Sequence, residues 1–400
     1  MYSLLLLAAA ITSVLGRPAP VSTHAIGDIV KGKYIVTIKP DVAPPRLEDH
    51  LGWVGDIHAR SLSRRDGATE AGVDKVWSDT FKGYSGEFDK DTIKQIKNSD
   101  EVLSIEPVRV IEIYQSKITQ PASPWGLSTI SHREPGSSDY VYEKSAGQGT
   151  WAYVVDTGVF TGHAEFEGRA FLGYNAVPKT KFADVNGHGT HCAGIIAAKT
   201  YGVAKKANIM AVKVLDGASS TTDIVLDGFQ WAVSNITNTP GRAAKSVISM
   251  SLGGSKSAAF NAAVDAAYKM GILVTAAAGN SNVDASLSSP ASAASALTVG
   301  AIDRSNNRAS FSNYGPVIDV WAPGVAITSL GISSKSAIAT MSGTSMACPH
   351  VAGLALYIRG LESIVMPATV IKRIKNLATM GKVIGAGKGS PNVLAYNGAA

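Results

Sequence analysis

Between residues 151 and 303 the chain repeats one pattern: a short apolar run, a small or polar residue that stops it, then a helix-like stretch. The runs are WAYVVD (151–156), IMAVKVLD (209–216), SVISMSLGG (246–254), GILVTAAAGN (271–280) and ALTVGAID (296–303), rich in Val and Ala. Helical stretches at 190–198, 222–235 and 258–270 lie between them. A strand with no polar face has nothing to give to water, so it belongs in a parallel sheet covered by helices on both sides. The expected class is α/β, three layers with a mostly parallel sheet in the middle. Ligand sites in such sheets form beyond the carboxyl ends of the strands. Here those ends carry Asp156, Asp216, the Gly253-Gly254 pair and Asn280.

Asp156 closes the first run. His188 follows in NGHGTHCAGIIAA, between Gly187 and Gly189, two residues that let backbone come close and leave the imidazole unobstructed at a helix start. A metal reading of His188 with His191 is poor, because the spacing lacks the glutamate of His-Glu-x-x-His. The third element is MSGTSMACPH (341–350), which puts Ser345 at the mouth of an apolar helix and Pro349 four residues into it. Pro349 cannot donate to the carbonyl of Ser345, so the motif gives up a helical bond that a mere cap would keep.

These three residues suit nucleophilic catalysis. A serine hydroxyl is a weak nucleophile near neutral pH and needs an imidazole to take its proton, and the imidazole needs a carboxylate to fix its tautomer. A helix N-terminus at Ser345 also aims backbone N–H groups at a developing oxyanion. Asn280, in AAAGNSN, offers a side-chain amide for the same oxygen, worth on the order of 10²–10³ in rate. GTSMA nearly matches the esterase pattern G-x-S-x-G, but that class needs an acid and then a histidine after the serine. After Ser345 the only acid is Glu362, and the only histidine is His350 on the same helix. The order Asp156, His188, Ser345 excludes the esterase. A non-cutting binding protein on the same scaffold would not need all four groups.

The N-terminal part has a different texture. MYSLLLLAAAITSVLG has a signal-peptide-length apolar run and lacks a basic residue before it. Residues 1–19 are therefore expected to be a signal peptide, and the protein to be secreted. KYIVTIKP (33–40) reads as a strand, about 45–63 as a helix, DGATEAGVD as a loop, and the stretch after Asp91 as a short helix followed by two strands split by Pro107. That is a small α+β unit, ending where Pro121, Pro124 and Gly126 punctuate QSKITQPASPWG. Formal net charge is +8 from Lys117 onward and −3 from Pro20 to Ser116, as expected of two parts of one chain that dock. No basic stripe points to nucleic acid, and no later apolar run points to a membrane span. Only Cys192 and Cys348 occur, one turn beyond His188 and Ser345, and both are expected to be free thiols beneath the site. Asn235-Ile236-Thr237 is a glycosylation sequon expected to be exposed after its helix.

VVDTGV, NGHGTHCAG, SMSLGG, AAAGN, SFSNYG, APG and SGTSMACPHVAG together resemble the subtilases, specifically the proteinase K-like secreted subtilisins of fungi. PWGLSTIS and NVLAYNG resemble that family's mature N- and C-terminal stretches, and YIVTIKP its inhibitory propeptide. The resemblance implies a subtilisin-like peptidase domain at 117–400 after a propeptide at 20–116. It implies a secreted, autoprocessed serine endopeptidase, a monomer acting on proteins and peptides and held by its own propeptide. Asp156, His188 and Ser345 take the triad positions and Asn280 that of oxyanion donor. It also implies that Ser251, Leu252, Gly253, Gly254, Ala277, Ala278 and Gly279 line the pocket for the residue before the scissile bond, where small apolar walls suit apolar or aromatic side chains. No cofactor is implied for the chemistry. Asp319 in IDVWAPG matches a calcium-binding aspartate of the family, assisted by carbonyls near Ala294 and Ala296. The sequence departs from the family at GASSTTD, one residue short of its edge segment, and at Trp151 and Leu297, where paired cysteines are absent.

Overall fold

The structure, a computed structural model, describes residues 29–62, 72–109 and 117–399. The chain divides into two compact units, with the boundary between Gln115 and Ser116.

The first unit contains β1 (Ile29–Ile38), α1 (Pro44–Leu62), β2 (Val73–Trp77), β3 (Gly83–Glu87), α2 (Lys90–Lys97) and β4 (Val102–Arg109). The strands form an antiparallel sheet in the order β2-β3-β1-β4. Val36, Ile38, Leu47, Val54, Ile57, Tyr84, Phe88 and Ile96 close one core between sheet and helices. Asp89 caps α2 by accepting from the N–H groups of Asp91 and Thr92. The two strands expected around Pro107 are one. β4 is an edge strand, where a residue without an N–H is tolerated, and Pro107 pairs opposite Tyr34. The expected loop at DGATEAGVD falls largely outside the described residues.

The second unit opens with β5 (Lys117–Gln120), α3 (Trp125–Ser131) and β6 (Tyr140–Glu143), in which β5 and β6 pair antiparallel. Then come β7 (Trp151–Asp156), β8 (Ala170–Asn175), α4 (His188–Ala197), β9 (Asn208–Lys213), α5 (Thr222–Thr237) and β10 (Ser246–Met250). β11 (Gly254–Ser255), α6 (Ala258–Lys269), β12 (Leu273–Ala277), β13 (Ser288–Ser289), β14 (Leu297–Ile302) and β15 (Val320–Pro323) follow. The chain finishes with β16 (Ile327–Leu330), β17 (Ile338–Met341), α7 (Thr344–Glu362), α8 (Pro367–Leu377), β18 (Thr379–Met380) and β19 (Val393–Leu394). Nine strands form the central sheet in the order β18-β19-β15-β14-β12-β10-β7-β9-β8, parallel except at β18.

The apolar runs behave as their composition requires. In β7, Ala152 and Val154 face one core with α4 and α7, while Tyr153 and Val155 face the other with α5 and α6. Val247 and Ile248 divide β10 in the same way, as period-two alternation demands. The winding reverses at β7: the chain runs out to β8 and β9, then crosses to β10 on the other side. Crevices open at such a reversal, and Asp156 is the last residue of that strand. Among the described residues no single helix is long and apolar enough to cross a membrane.

Candidate active site

Asp156 is buried, and its Oδ1 accepts from the Thr157 backbone N–H at 2.7 Å. His188 is the first residue of α4, and its Nδ1 lies 2.8 Å from the same oxygen. The flanking glycines have separate jobs. Gly187 takes the left-handed conformation, φ +97°, just before the helix. A Cβ on Gly189 would stand 2.1 Å from the Gly158 carbonyl oxygen, so only glycine lets those segments meet. The carboxylate of Asp156 raises the His188 pKa above the ordinary imidazole value, since the charged ring is favoured beside it. Burial does the opposite at His191 and His350, each pushed down to about 4.

Ser345 is the second residue of α7 and lines one cleft with Asp156 and His188. Its Oγ donates to the Ser251 carbonyl at 2.9 Å, and among the described residues it makes no hydrogen bond to His188. A turn about its Cα–Cβ bond is needed to aim it at the imidazole. The carbonyl that Pro349 leaves without a helical donor is not orphaned. Ser251 Oγ donates to it at 2.9 Å and the Cys192 thiol at 3.4 Å. Cys192 Sγ also lies 3.9 Å from His188 Nδ1, and burial pushes that thiol's pKa up. Cys348 is likewise buried, pushed up to about 11 by burial, and both cysteines are free.

Asn280 uses its Oδ1 to accept from the backbone N–H and the hydroxyl of Thr344, at 2.8 and 2.9 Å. That fixes the amide, and among the described residues Nδ2 donates to no acceptor. A Cβ built on Gly343 would lie 3.4 Å from Asn280 Nδ2 and 3.6 Å from the Ser345 N, so the two donors flank one small space.

Beside it, Leu252, Gly253, Gly254, Ala277 and Gly279 line a pocket with Val283, Leu287, Ser288, Asn313, Thr344 and Ser345. No charged side chain is among its walls. Two of the expected wall residues sit elsewhere. Ala278, just past the end of β12, is fully buried and packs with Ala285, Ile302 and Trp321. Ser251 lines the adjoining cleft instead. Nothing in the sequence marks out Asn313 beyond its place in SFSNYG. It is buried, its Nδ2 donates to the Ala278 carbonyl at 2.8 Å, and its Oδ1 accepts from the N–H groups of Ser281 and Val283.

Residues 147–395 match the Subtilase family, and residues 33–114 match Peptidase inhibitor I9. The chain is a subtilase. It is 55% identical to subtilisin-like proteinase Mp1 of Magnaporthiopsis poae over 388 residues, covering 95% of each chain. It is 50% identical to alkaline protease 1 of Aspergillus clavatus over 402 residues, covering 100% of this chain and 98% of that one. The crystal structure of a cold-adapted subtilisin-like serine proteinase superposes with a TM-score of 0.65 at 40% identity, covering 69% of this chain and 98% of the other. As a subtilase, the protein is a serine endopeptidase on a subtilisin-like α/β fold preceded by an I9 unit.

Two expected positions have side-chain partners of their own in this subtilase. Calcium needs six to eight oxygen ligands. Asp319 instead gives Oδ1 to the Lys375 ammonium at 2.7 Å and Oδ2 to the Thr298 N–H at 2.8 Å. Asn235 is also not exposed after its helix. It lies within α5, half-buried, and its Oδ1 accepts from the Tyr153 hydroxyl at 2.6 Å.

Proposed function

We propose that Ser345 is the nucleophile of this endopeptidase, His188 its general base and acid, Asp156 the group that orients and charges the imidazole, and Asn280 the oxyanion donor. The observation that carries the reading is the 2.8 Å contact of Asp156 with His188 Nδ1, which reserves Nε2 for the cleft that Ser345 shares. Ser345 Oγ attacks the scissile carbonyl carbon while its proton passes to His188 Nε2. The carbonyl oxygen becomes an oxyanion between Asn280 Nδ2 and the Ser345 N–H. Collapse breaks the C–N bond, and the imidazolium returns its proton to the leaving amine. Water then repeats the sequence on the acyl-enzyme.

The uncharged pocket of Leu252, Gly253, Gly254, Ala277 and Gly279, with Val283 and Leu287, favours apolar or aromatic residues before the scissile bond. Residues 1–19 serve as a secretion signal, and residues 20–116, which contain the I9 match, serve as the propeptide that holds the enzyme inactive until the chain cuts itself near Lys117. A fluorophosphonate probe tests the nucleophile. It labels the wild-type enzyme and not Ser345→Ala; equal labelling of both removes Ser345 from the role.

A further inference from the structure

Asp184 lies four residues before His188 and is buried, with 8% of its surface exposed. Its carboxylate is surrounded by donors. Oδ1 accepts from Thr157 Oγ1 at 2.9 Å, from the Asn186 N–H at 3.1 Å and from the Gly187 N–H at 2.8 Å. Oδ2 accepts from the Thr190 N–H at 2.9 Å and the Thr190 hydroxyl at 2.6 Å. Thr157 Oγ1 in turn accepts from the Gly189 N–H at 2.9 Å. The donors come from both sides of the catalytic pair: Thr157 follows Asp156 directly, and Asn186, Gly187 and Thr190 surround His188. On the opposite side of Thr157, the fully buried Lys213 donates Nζ to the Thr157 carbonyl at 3.0 Å, to the Leu215 carbonyl at 2.8 Å and to Asp216 at 2.8 Å. Thr157 is thus held between a buried carboxylate and a buried ammonium.

We propose that Asp184 is a positioning residue for the reaction, acting through Thr157 and the Asn186–Thr190 turn to set the distance from Asp156 to His188. This rests on the assignment of those two residues to catalysis. Backbone at a strand end and a helix start has no ladder between them, and Asp184 supplies the missing ties. Its geometry cannot be copied by an amide. Asparagine keeps one acceptor oxygen, which can serve either the Thr157 side or Thr190, and turns an N–H₂ toward donors on the other side. The imidazole then drifts from Asp156 and loses part of the carboxylate's support. The other titratable or charged groups near the ring are Cys192 and His191 on its own helix and Lys256 on the cleft wall, and none of them touches Asp184.

The test compares matured wild type, Asp184→Asn, Thr157→Val and a control remote from the cleft, Ile374→Val in α8, with active sites counted by fluorophosphonate. Asp184→Asn is expected to lower kcat on the order of 10–100-fold, taking as a guide the scale seen when a group orienting a metal-ligating histidine is lost, with KM nearly unchanged. The acid limb of its kcat/KM profile is expected to move at least about half a pH unit toward the ordinary histidine value of about 6.5. Thr157→Val, which keeps the shape and removes one of the five bonds to Asp184 together with the bond Thr157 Oγ1 accepts from Gly189, is expected to move the limb in the same direction and carries the test if Asp184→Asn does not accumulate. Ile374→Val lowers Tm and leaves the profile in place. An unmoved acid limb in the Asp184 or Thr157 variant, with active-site counts intact, overturns the proposal. Failure of wild type to take the probe overturns the catalytic assignment instead.

Discussion

Ser251 and Ser345 are joined by two reciprocal hydrogen bonds, each serine hydroxyl donating to the other's backbone carbonyl at 2.9 Å. One bond holds the start of α7 after Pro349 has removed its usual donor; the other turns the resting hydroxyl of Ser345 away from His188. The two have opposite consequences, since the first builds the site and the second must break before reaction.

Ser251→Ala should therefore destabilise. It leaves the Ser345 carbonyl to the weak thiol donor of Cys192, and a buried acceptor without a partner costs about 1–3 kcal/mol. Thermal unfolding should show a lower Tm, with the resting Ser345 hydroxyl still on the residue 251 carbonyl. A Tm equal to wild type would mean that the thiol alone satisfies the carbonyl.

The pH profile follows from Asp156. His188 must be neutral at Nε2 to act as a base, and the carboxylate raises its pKa. Activity should fall on acidification with an apparent pKa above about 6.5, and Asp156→Asn should bring that limb down while cutting kcat by about 10⁴-fold. The same raised pKa means the ion pair's stabilisation is fully present below about pH 6.5 and is lost as pH rises through the folded value. Rising pH therefore frees the imidazole for catalysis while it progressively weakens the pair's contribution to stability.

Asn280→Ala should lower kcat by about 10²–10³ with KM little changed, because its Nδ2 is free only for an oxyanion. Steady-state kinetics on a chromogenic peptide measures this. A proportional rise in KM would assign the amide to ground-state binding instead.

The chelation experiment separates this chain from its family's expectation. With Lys375 on Asp319, EDTA should leave the contribution of that site to Tm untouched, whereas Lys375→Met should lower Tm by removing the ammonium. A Tm that drops in EDTA and recovers with calcium only when Asp319 is intact would restore a metal there.

Much of this was readable from residue order. The uniformly apolar runs foretold a sheet buried on both faces, and glycines around His188 and Pro349 after Ser345 marked places where backbone had to be special. What escaped was set by distant partners. Lys375 is 56 residues from Asp319, and only the fold brings its ammonium to the carboxylate. Ala278 looked like pocket wall, but its methyl packs into a core built with Ala285, Ile302 and Trp321 from later in the chain. Nothing in the sequence singled out Asp184: all but one of its donors are local, and the exception, Thr157, follows the end of β7. Pro107 suggested a break that an edge strand does not need.

The central claim is that Ser345 cuts peptide bonds, including the one that frees its own peptidase unit. The decisive measurement is the N-terminus and intact mass of the secreted product of wild type and of Ser345→Ala. Wild type should begin near Lys117, and the variant should retain residues from about 20 onward. Identical trimming of both chains would contradict self-processing by Ser345.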